Sequence, residues 1–215
     1  MGKQRQKFKQ KLGRILMTIG AVCVLAALSL LTYNRIIDCK AGDFSNKLMN
    51  EIKAYIENSD NYDDSDNTDT DDINYDDKYG VESDDIPSVG FQGSSFMGYL
   101  SIPNLQLNLP VMSNWDYEKL NISPCRYSGS VLTDDLVIAA HNYDSHFGRI
   151  SSLTTGDEVF FMDVIGKEYK YEVKLLDTLN PVDVDRMTSG EYDLSLFTCD
   201  FSGAARITVR CTRLE

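Results

Sequence analysis

The sequence predicts a mainly β protein, a closed β-barrel of seven to eight strands with short helices, preceded by one transmembrane helix. Three observations carry this prediction: an uncharged apolar run near the N-terminus, an acidic stretch after it, and a series of short apolar or alternating segments beyond residue 88. Seven or eight short strands within about 125 residues, separated by turn residues, are typical of a barrel or a sandwich. The 215 residues suffice for one folded domain with appendages.

The net charge of −12 is distributed unevenly along the chain. Residues 1–14 carry only basic charges, whereas residues 58–87 are overwhelmingly acidic. The low isoelectric point therefore describes a linker rather than a binding face. The basic cluster is better explained by a membrane than by nucleic acid, and we expect no nucleic-acid partner.

Residues 15–33 form an uncharged run of about the length that crosses a bilayer as a helix. The basic residues before it predict a single-pass signal anchor with residues 1–14 in the cytoplasm and everything after the span outside the cell membrane. A cleaved signal peptide is the alternative, but its apolar region would be shorter and would end in small residues.

Between the span and the folded domain we expect two further segments. Residues 34–57 have apolar residues at helical spacing and predict a juxtamembrane helix. Residues 58–87 are rich in Asp, Asn and Ser and predict a disordered spacer. Calcium binding by Asp64, Asp66 and Asp69 is the alternative, although the spacing lacks the loop glycine and terminal glutamate of an EF-hand.

Residues 88–215 are predicted to form the catalytic domain. Alternating or continuous apolar runs mark its strands, with helical turns near 115–120 and 147–153 and loops near 112–130 and 177–192 that would form a groove. The predicted strands are 97–102, 105–111, 132–140, 158–163, 169–176, 193–199 and 206–212.

The last hairpin carries the strongest chemical signal. Its first strand ends in Cys199, and the turn over residues 200–205 places Arg206 directly across the ladder, at roughly 5 Å between α-carbons. A guanidinium beside a thiol can activate the thiol or hold an oxyanion. His141, one of two histidines, ends another apolar strand. These three residue types predict nucleophilic thiol catalysis.

Four cysteines lie beyond the span, enough for two disulfides. The hairpin register argues against pairing Cys199 with Cys211, because Cys211 would lie opposite residue 194, well along the ladder. Cys211 is expected in the core. A bond between Cys39 and Cys125 stays open, and we favour a reduced set with one reactive thiol.

Taken together, these segments resemble the sortases, the cysteine transpeptidases of Gram-positive surfaces. The resemblance extends from about Gly98 to Arg213. Its pieces are 98–103 with 107–111, the first strands; 137–141, the histidine region; 196–199, the Thr-Leu-x-Thr-Cys signature with Ser195 in place of its first threonine; and 206–209, the arginine strand. The resemblance implies a sortase-type barrel and favours an enzyme similar to classes A, D or E over classes B or C.

The resemblance also implies a mechanism and partners. Cys199 would be the nucleophile, attacking an LPXTG-like C-terminal sorting signal of surface proteins to form a thioester. His141 would be the general acid and base, Arg206 would stabilise the oxyanion or the substrate, and Thr198 would help to position substrate. A peptidoglycan amine, or that of its lipid-linked precursor, would resolve the thioester. No cofactor is expected, although Glu158, Asp183 and Asp185 would be the residues of a calcium site like that of some class A enzymes.

Several alternatives remain open at this point. His146 competes with His141 but is predicted to lie on the surface past the strand end, and Arg210 is predicted to be a solvated or ion-paired surface arginine. Another cell-wall cysteine enzyme is disfavoured, since papain-like enzymes place the cysteine on a helix ahead of the histidine and L,D-transpeptidases use a Ser-His-Gly-Cys sequence. A catalytically silent, membrane-tethered binding module is the remaining class.

Overall fold

The computed structural model describes residues 2–60 and 86–214. Most of the predicted acidic linker, with Asp64, Asp66 and Asp69, lies outside these residues. The first element is a long helix, α1 (Gly2–Asp60), and the chain divides within it into two compact units, residues 1–40 and 41–215. The first unit holds the apolar run predicted as a membrane span. In α1 an exposed window within residues 13–57 reaches a mean hydropathy of 2.4, which by length and composition qualifies as a membrane-spanning helix.

The second unit contains a closed β-barrel, as predicted. The strands of the described residues are β1 (Val89–Phe91), β2 (Ser94–Ile102), β3 (Leu107–Met112), β4 (Cys125–Ser128), β5 (Leu136–Ala139), β6 (Glu158–Asp163), β7 (Glu168–Leu179), β8 (Leu194–Cys199) and β9 (Arg206–Arg213). These nine strands form one sheet in the order β1-β2-β3-β4-β5-β8-β9-β7-β6, and a further pairing of β2 with β6 closes the last eight into a barrel. The short helical elements are α2 (Val184–Met187) and the 3₁₀ turns Pro103–Leu105, Lys119–Asn121 and Ile150–Ser152.

A glycine permits the closure of the barrel. Gly98 pairs with Asp163 across the β2–β6 seam and has a φ of +149°. A Cβ at this position would lie 2.0 Å from the carbonyl oxygen of Met162, far inside van der Waals contact. Only glycine fits so close an approach of two backbones.

The predicted strands agree with the observed ones at most positions, with three differences. The sequence does not predict β1 and β4, and Leu105, predicted to open a strand over 105–111, lies in a 3₁₀ turn before β3.

The third difference concerns β5. The sequence predicts a continuous strand over 132–140, but β5 begins only at Leu136. The preceding residues form a turn in which the Asp135 carboxylate accepts hydrogen bonds from the Ser130 amide and the Thr133 hydroxyl, with Asp134 at a φ of +53°. Local side-chain hydrogen bonds therefore replace the start of the strand.

Apolar side chains of the strands fill the barrel interior. In β7 the alternation of the sequence places Tyr169, Tyr171 and Val173 inside and the charged residues between them outside or half-buried. The strands β5 and β8 are buried over nearly their whole length, which explains their continuous apolar sequences.

A second apolar core lies between the barrel and the last third of α1. Leu48, Ile52 and Ile56 are spaced for one helix face and are all buried in this cluster together with Phe96 and Met112 of the barrel. Polar and aromatic contacts support the same packing, since the Tyr55 ring meets Phe91 edge-on at 6.2 Å and the Lys53 ammonium lies over the Tyr99 ring. The helix segment 41–60 is thus part of the folded domain.

This packing predicts that a chain beginning at residue 88 is much less stable than one beginning at Ala41. Removing the helix exposes three fully buried aliphatic side chains together with their barrel partners, a loss of about 5 kcal/mol, comparable to the whole stability of a small domain. Urea unfolding of the two chains measures the difference.

Two point variants in the longer chain serve as a matched pair. Ile52→Ala should lower the free energy of unfolding by ~3 kcal/mol, whereas Asn50→Ala, on the exposed face of the same helix, should change it by less than ~0.5 kcal/mol. Equal stability of the two truncated chains would contradict the role assigned to the helix.

Candidate active site

Two neighbouring parallel strands bring His141 and Cys199 to the same edge of the barrel. The strands β5 and β8 pair in parallel with Ala139 opposite Phe197. His141 and Cys199 each lie two residues beyond this pair. The Ala140 amide donates to the Phe197 carbonyl at 3.1 Å, so the ladder continues towards both residues. Because parallel strands end at one edge, residues 58 apart in sequence become neighbours.

Thr198 ties the two strands together at this edge. Its side chain is 3% exposed, and its hydroxyl donates to the Ala140 carbonyl at 2.9 Å. The hydroxyl therefore has a partner within the protein and holds the residue before His141 against the residue before Cys199.

The β8–β9 hairpin has the predicted register. Cys199 pairs with Arg206, and Leu194 pairs with Cys211, as the turn length indicates. Cys199 is half-buried at the end of its strand. The Arg206 guanidinium donates through Nη1 to the carbonyls of Gly203 (3.3 Å) and Ala205 (3.2 Å), which keeps it beside the strand end.

Asp200 organises the turn that joins the two strands. Its carboxylate accepts hydrogen bonds from the Ser202 hydroxyl (2.6 Å) and the Ala205 amide (3.1 Å), and its own amide donates to the Ala205 carbonyl. These bonds, with that of Ser202 first, lower the pKa of Asp200. The turn is therefore held by a charged acceptor immediately after Cys199.

His141 is placed between two tyrosines. The Tyr117 ring meets the imidazole edge-on at 5.7 Å, and the Tyr143 ring lies at 5.0 Å with a tilt of 38°. The Tyr143 hydroxyl donates to the Asn121 side chain at 3.3 Å, which links this ring to the 3₁₀ turn after Tyr117. Burial lowers the pKa of His141 below its ordinary value, because the charged imidazolium loses water.

A pocket of about 140 Å³ lies beside Arg206. Its walls come from the two loop regions predicted to form a groove and from the ends of β8 and β9. The lining residues are Trp115, Tyr127, Asn180, Pro181, Asp183, Val184, Met187, Phe197 and Arg206. Aromatic contacts stiffen one wall, since Tyr127 meets both Trp115 and Phe197 edge-on at 5.3 and 5.2 Å. The pocket combines aromatic and aliphatic walls with the polar side chains of Asn180, Asp183 and Arg206. This mixture suits a peptide segment with apolar side chains and polar backbone groups.

The prediction that His146 lies on the surface is wrong. The residue is fully buried, and its ring lies 5.5 Å from that of Tyr143. The chain turns back immediately after His141, with the amides of His146 and Gly148 both donating to the Tyr143 carbonyl. This tight turn encloses the side chain of His146, while His141 stays half-buried at the strand edge.

The prediction for Arg210 is also wrong. Arg210 is 4% exposed and is held by hydrogen bonds to two carbonyls, those of Met187 (3.0 Å) and Arg186 (2.7 Å), and to the Ser195 hydroxyl (2.7 Å). The Tyr192 ring covers the guanidinium at 5.6 Å. Burial lowers the pKa of Arg210, but a guanidinium stays charged near neutral pH. Arg210 is thus a buried arginine, whereas Arg206 is only half-buried.

All five cysteines are free thiols in the structure, including Cys39 and Cys125. Cys211 lies in the barrel core, as predicted. Burial raises the pKa of Cys125 to about 11 and that of Cys211 to about 12, so both stay protonated and unreactive at neutral pH. Cys199 is therefore the half-exposed thiol of the barrel.

The residues considered for calcium lie on separate elements. Glu158 opens β6, where it pairs with Glu172 of β7, whereas Asp183 and Asp185 lie at α2. Within residues 2–60 and 86–214 no group of three or more His, Cys, Asp or Glu side chains is arranged to hold a metal ion.

Sequence reasoning missed the bond between Ser195 and Arg210 and the two tyrosines beside His141. The replacement of the signature's first threonine by Ser195 marks a position where a hydroxyl is kept, and this was the one signal for the bond to Arg210. For Tyr117 and Tyr143 the sequence offers no periodic signal, because both lie in irregular loops.

Comparisons with known proteins agree with this geometry. The family model described as Sortase domain matches residues 100–214. No curated protein sequence matches the chain significantly. Three solved structures share the fold: sortase C1 of Streptococcus agalactiae (24% identity, TM-score 0.50, covering 59% of this chain and 71% of that one), a lid mutant of sortase A from Corynebacterium diphtheriae (18%, 0.52, 76% and 94%) and the sortase D5 transpeptidase of Clostridium perfringens (16%, 0.50, 56% and 79%). With the family model covering more than half of its residues and the barrel matching solved members of the family, the chain belongs to the sortases.

Proposed function

We propose that this sortase is a membrane-anchored cysteine transpeptidase that cleaves an LPXTG-like C-terminal sorting signal of surface proteins and transfers the acyl group to a cell-wall amine. One observation carries the proposal. The strand pairings bring a half-exposed cysteine, a histidine and an arginine from three strand ends to one edge of the barrel, next to a pocket with both apolar and polar walls. The sequence family supports transpeptidation as the reaction class.

In the first step the Cys199 thiolate attacks the Thr–Gly carbonyl carbon of the sorting signal. The new C–S bond moves the carbonyl electron pair onto oxygen, and the guanidinium of Arg206, the residue paired with Cys199 across the ladder, stabilises that oxyanion. The tetrahedral intermediate collapses with cleavage of the C–N bond. The His141 imidazolium gives its proton to the leaving amine, and the acyl group stays on sulfur as a thioester.

In the second step an amine of peptidoglycan or of its lipid-linked precursor attacks the thioester. Neutral His141 takes the proton of the attacking amine, a new amide bond forms, and the Cys199 thiolate leaves. This completes the cycle with every proton returned. Thr198 contributes by holding the ends of β5 and β8 together, so that the imidazole and the thiol keep their spacing in both steps.

The membrane anchor in this proposal is the apolar part of α1. The exposed apolar window, with a mean hydropathy of 2.4, follows a purely basic N-terminal segment. This pattern favours an N-terminus inside the cell and a catalytic domain outside, where surface proteins and cell-wall amines are found.

Intact mass spectrometry tests the reaction. The full chain in detergent, mixed with a panel of LPXTG-like peptides, should gain the mass of the acyl fragment and lose it when an amine is added. Cys199→Ala should show no gain, because no thioester can form, and Cys39→Ala, which removes another exposed thiol, should behave as wild type. A folded wild-type chain that never gains mass would contradict the proposal and favour a binding module.

The pH dependence of kcat/KM tests the role of His141. The first step needs a state in which neutral His141 can take up a proton from Cys199, so activity falls at low pH as His141 becomes protonated. Because burial lowers the pKa of His141, the acidic limb should have its midpoint below 6.5.

The pH profile of kcat/KM for Tyr117→Ala tests whether the surroundings of His141 set the acidic limb. Tyr117→Ala removes a ring that covers the imidazole; better hydration should raise the His141 pKa and move the acidic limb to higher pH. Tyr33→Ala, a matched change in the apolar run of α1, is the control and should leave the limb unchanged. If Tyr117→Ala leaves the midpoint of the acidic limb unchanged, a group other than His141 is titrating.

Thiol labelling of intact cells tests the orientation in the membrane. In the Cys199→Ala chain, Cys125 and Cys211 are buried and Cys23 lies within the apolar run, so Cys39 is the thiol open to a membrane-impermeant maleimide. Labelling of intact cells is expected, and its loss in Cys199→Ala with Cys39→Ser identifies the site. Labelling that appears only after lysis would reverse the assigned orientation.

A further inference from the structure

The wall of the pocket that α2 supplies has little stability of its own. Helix α2 has four residues, Val184–Met187. Its backbone bonds are the Met187 amide on the Asp183 carbonyl (3.1 Å) and the Thr188 amide on the Val184 carbonyl (2.9 Å), and the Thr188 hydroxyl donates to the same Val184 carbonyl (3.0 Å). A single helical turn does not form in isolation, because nucleation costs more than one or two hydrogen bonds return. Its position must come from contacts with the barrel.

Arg210 supplies such a contact at the C-terminal end of α2. The last carbonyls of a helix have no partner within it and carry the negative end of its dipole. The buried Arg210 guanidinium donates to two of them, those of Arg186 and Met187, and uses a third bond to reach Ser195 of β8. One cation of β9 thus fixes α2 to both strands of the hairpin that carries Cys199 and Arg206.

The residues that α2 presents to the pocket lie directly before this anchor. Asp183, Val184 and Met187 line the pocket together with Arg206. Met187 is also packed in the second core next to Phe197, while Val184 is partly exposed at the rim. A shift of α2 would therefore change the shape of the pocket without moving the strand ends.

We propose that Arg210 is a positioning residue: it holds α2 as the wall of the pocket beside Arg206, and through α2 it sets which substrate side chain the pocket admits. The inference rests on the proposed function, because that function assigns the pocket to the substrate. It separates two arginines of one strand, Arg206 acting on the reacting carbonyl and Arg210 acting on substrate selection.

Arg210→Lys is the decisive variant. It keeps the charge but replaces a planar fork that reaches three acceptors by a single ammonium. For the full chain in detergent, KM for the preferred peptide should rise about tenfold, while kcat at saturation changes less than about threefold. The preference for that peptide over one altered next to the scissile threonine should fall by about the same tenfold factor.

Two readouts separate positioning from a general loss of structure. The alkylation rate of Cys199 by iodoacetamide reports the thiol without peptide binding and should stay unchanged. Amide hydrogen exchange should accelerate by about tenfold at Met187 and Thr188, but not in β9.

Matched variants complete the design. Arg213→Lys makes the same change on the same strand, where the guanidinium pairs with Asp134 away from α2, and should leave KM and exchange at α2 unchanged. Ser195→Ala removes one of three acceptors and should raise KM by a smaller factor, whereas Ser195→Thr keeps the hydroxyl and should not. Met187→Ala should add little to KM once Arg210→Lys is present, because both act on the same wall.

The outcomes distinguish this inference from the proposed function. An unchanged KM in Arg210→Lys, or a parallel loss of kcat, alkylation rate and β9 protection, would overturn the positioning role. A wild-type chain without acyl transfer would overturn the proposed function. In that case hydrogen exchange at α2 still decides whether Arg210 holds the wall. If Arg210→Lys leaves the amide exchange rates of Met187 and Thr188 at their wild-type values, the inference is overturned.

Discussion

The parallel pairing of β5 with β8 is the interaction on which the site depends. Most neighbouring strands of the barrel are antiparallel, and an antiparallel pair would place the ends of these two strands at opposite edges. In parallel they end together, so His141 and Cys199 become neighbours, and the hairpin to β9 adds Arg206 at the same edge. The bond from Thr198 to the Ala140 carbonyl then holds the two strand ends in register.

Closure of the barrel and the packing of α1 secure this pairing from outside. Gly98 lets β2 approach β6 closely enough to close the sheet. Closure pairs the edges of β2 and β6 with each other, so the barrel has no open edge there. The outward side chains of β5 and β8, such as Val137 and Phe197, belong to the second core, which also contains Ile52 of α1. Helix segment 41–60 therefore stabilises the same strands that carry the site, and the folded domain extends further towards the N-terminus than residue 88.

The sequence was sufficient for features governed by local rules. The pairing of Cys199 with Arg206 follows from turn length, and the strand ending near His141 follows from an apolar run. The burial of Arg210 and His146 could not be predicted from local sequence patterns, because it depends on which distant parts of the chain pack around these residues. Arg210 alternates in β9 like a solvent-facing residue, and two of its three acceptors are carbonyls of α2, which returns across the hairpin. No periodic pattern marks α2, a single turn between two long strands.

The two kinds of structure around the site respond differently to sequence change. The proposed catalytic residues are held at the ends of backbone ladders, which any residue compatible with a strand maintains. The pocket wall is held by a few side chains: Arg210 at the end of α2, Met187 in the core, and the ion pair of Arg186 with Asp177 at 3.0 Å. Substitutions in residues 180–190 can therefore reshape the pocket while the spacing of the strand ends stays constant. Because Arg210 donates to main-chain carbonyls of α2, it can hold that turn whatever side chains the turn carries, so one anchor serves a wall whose specificity is free to vary.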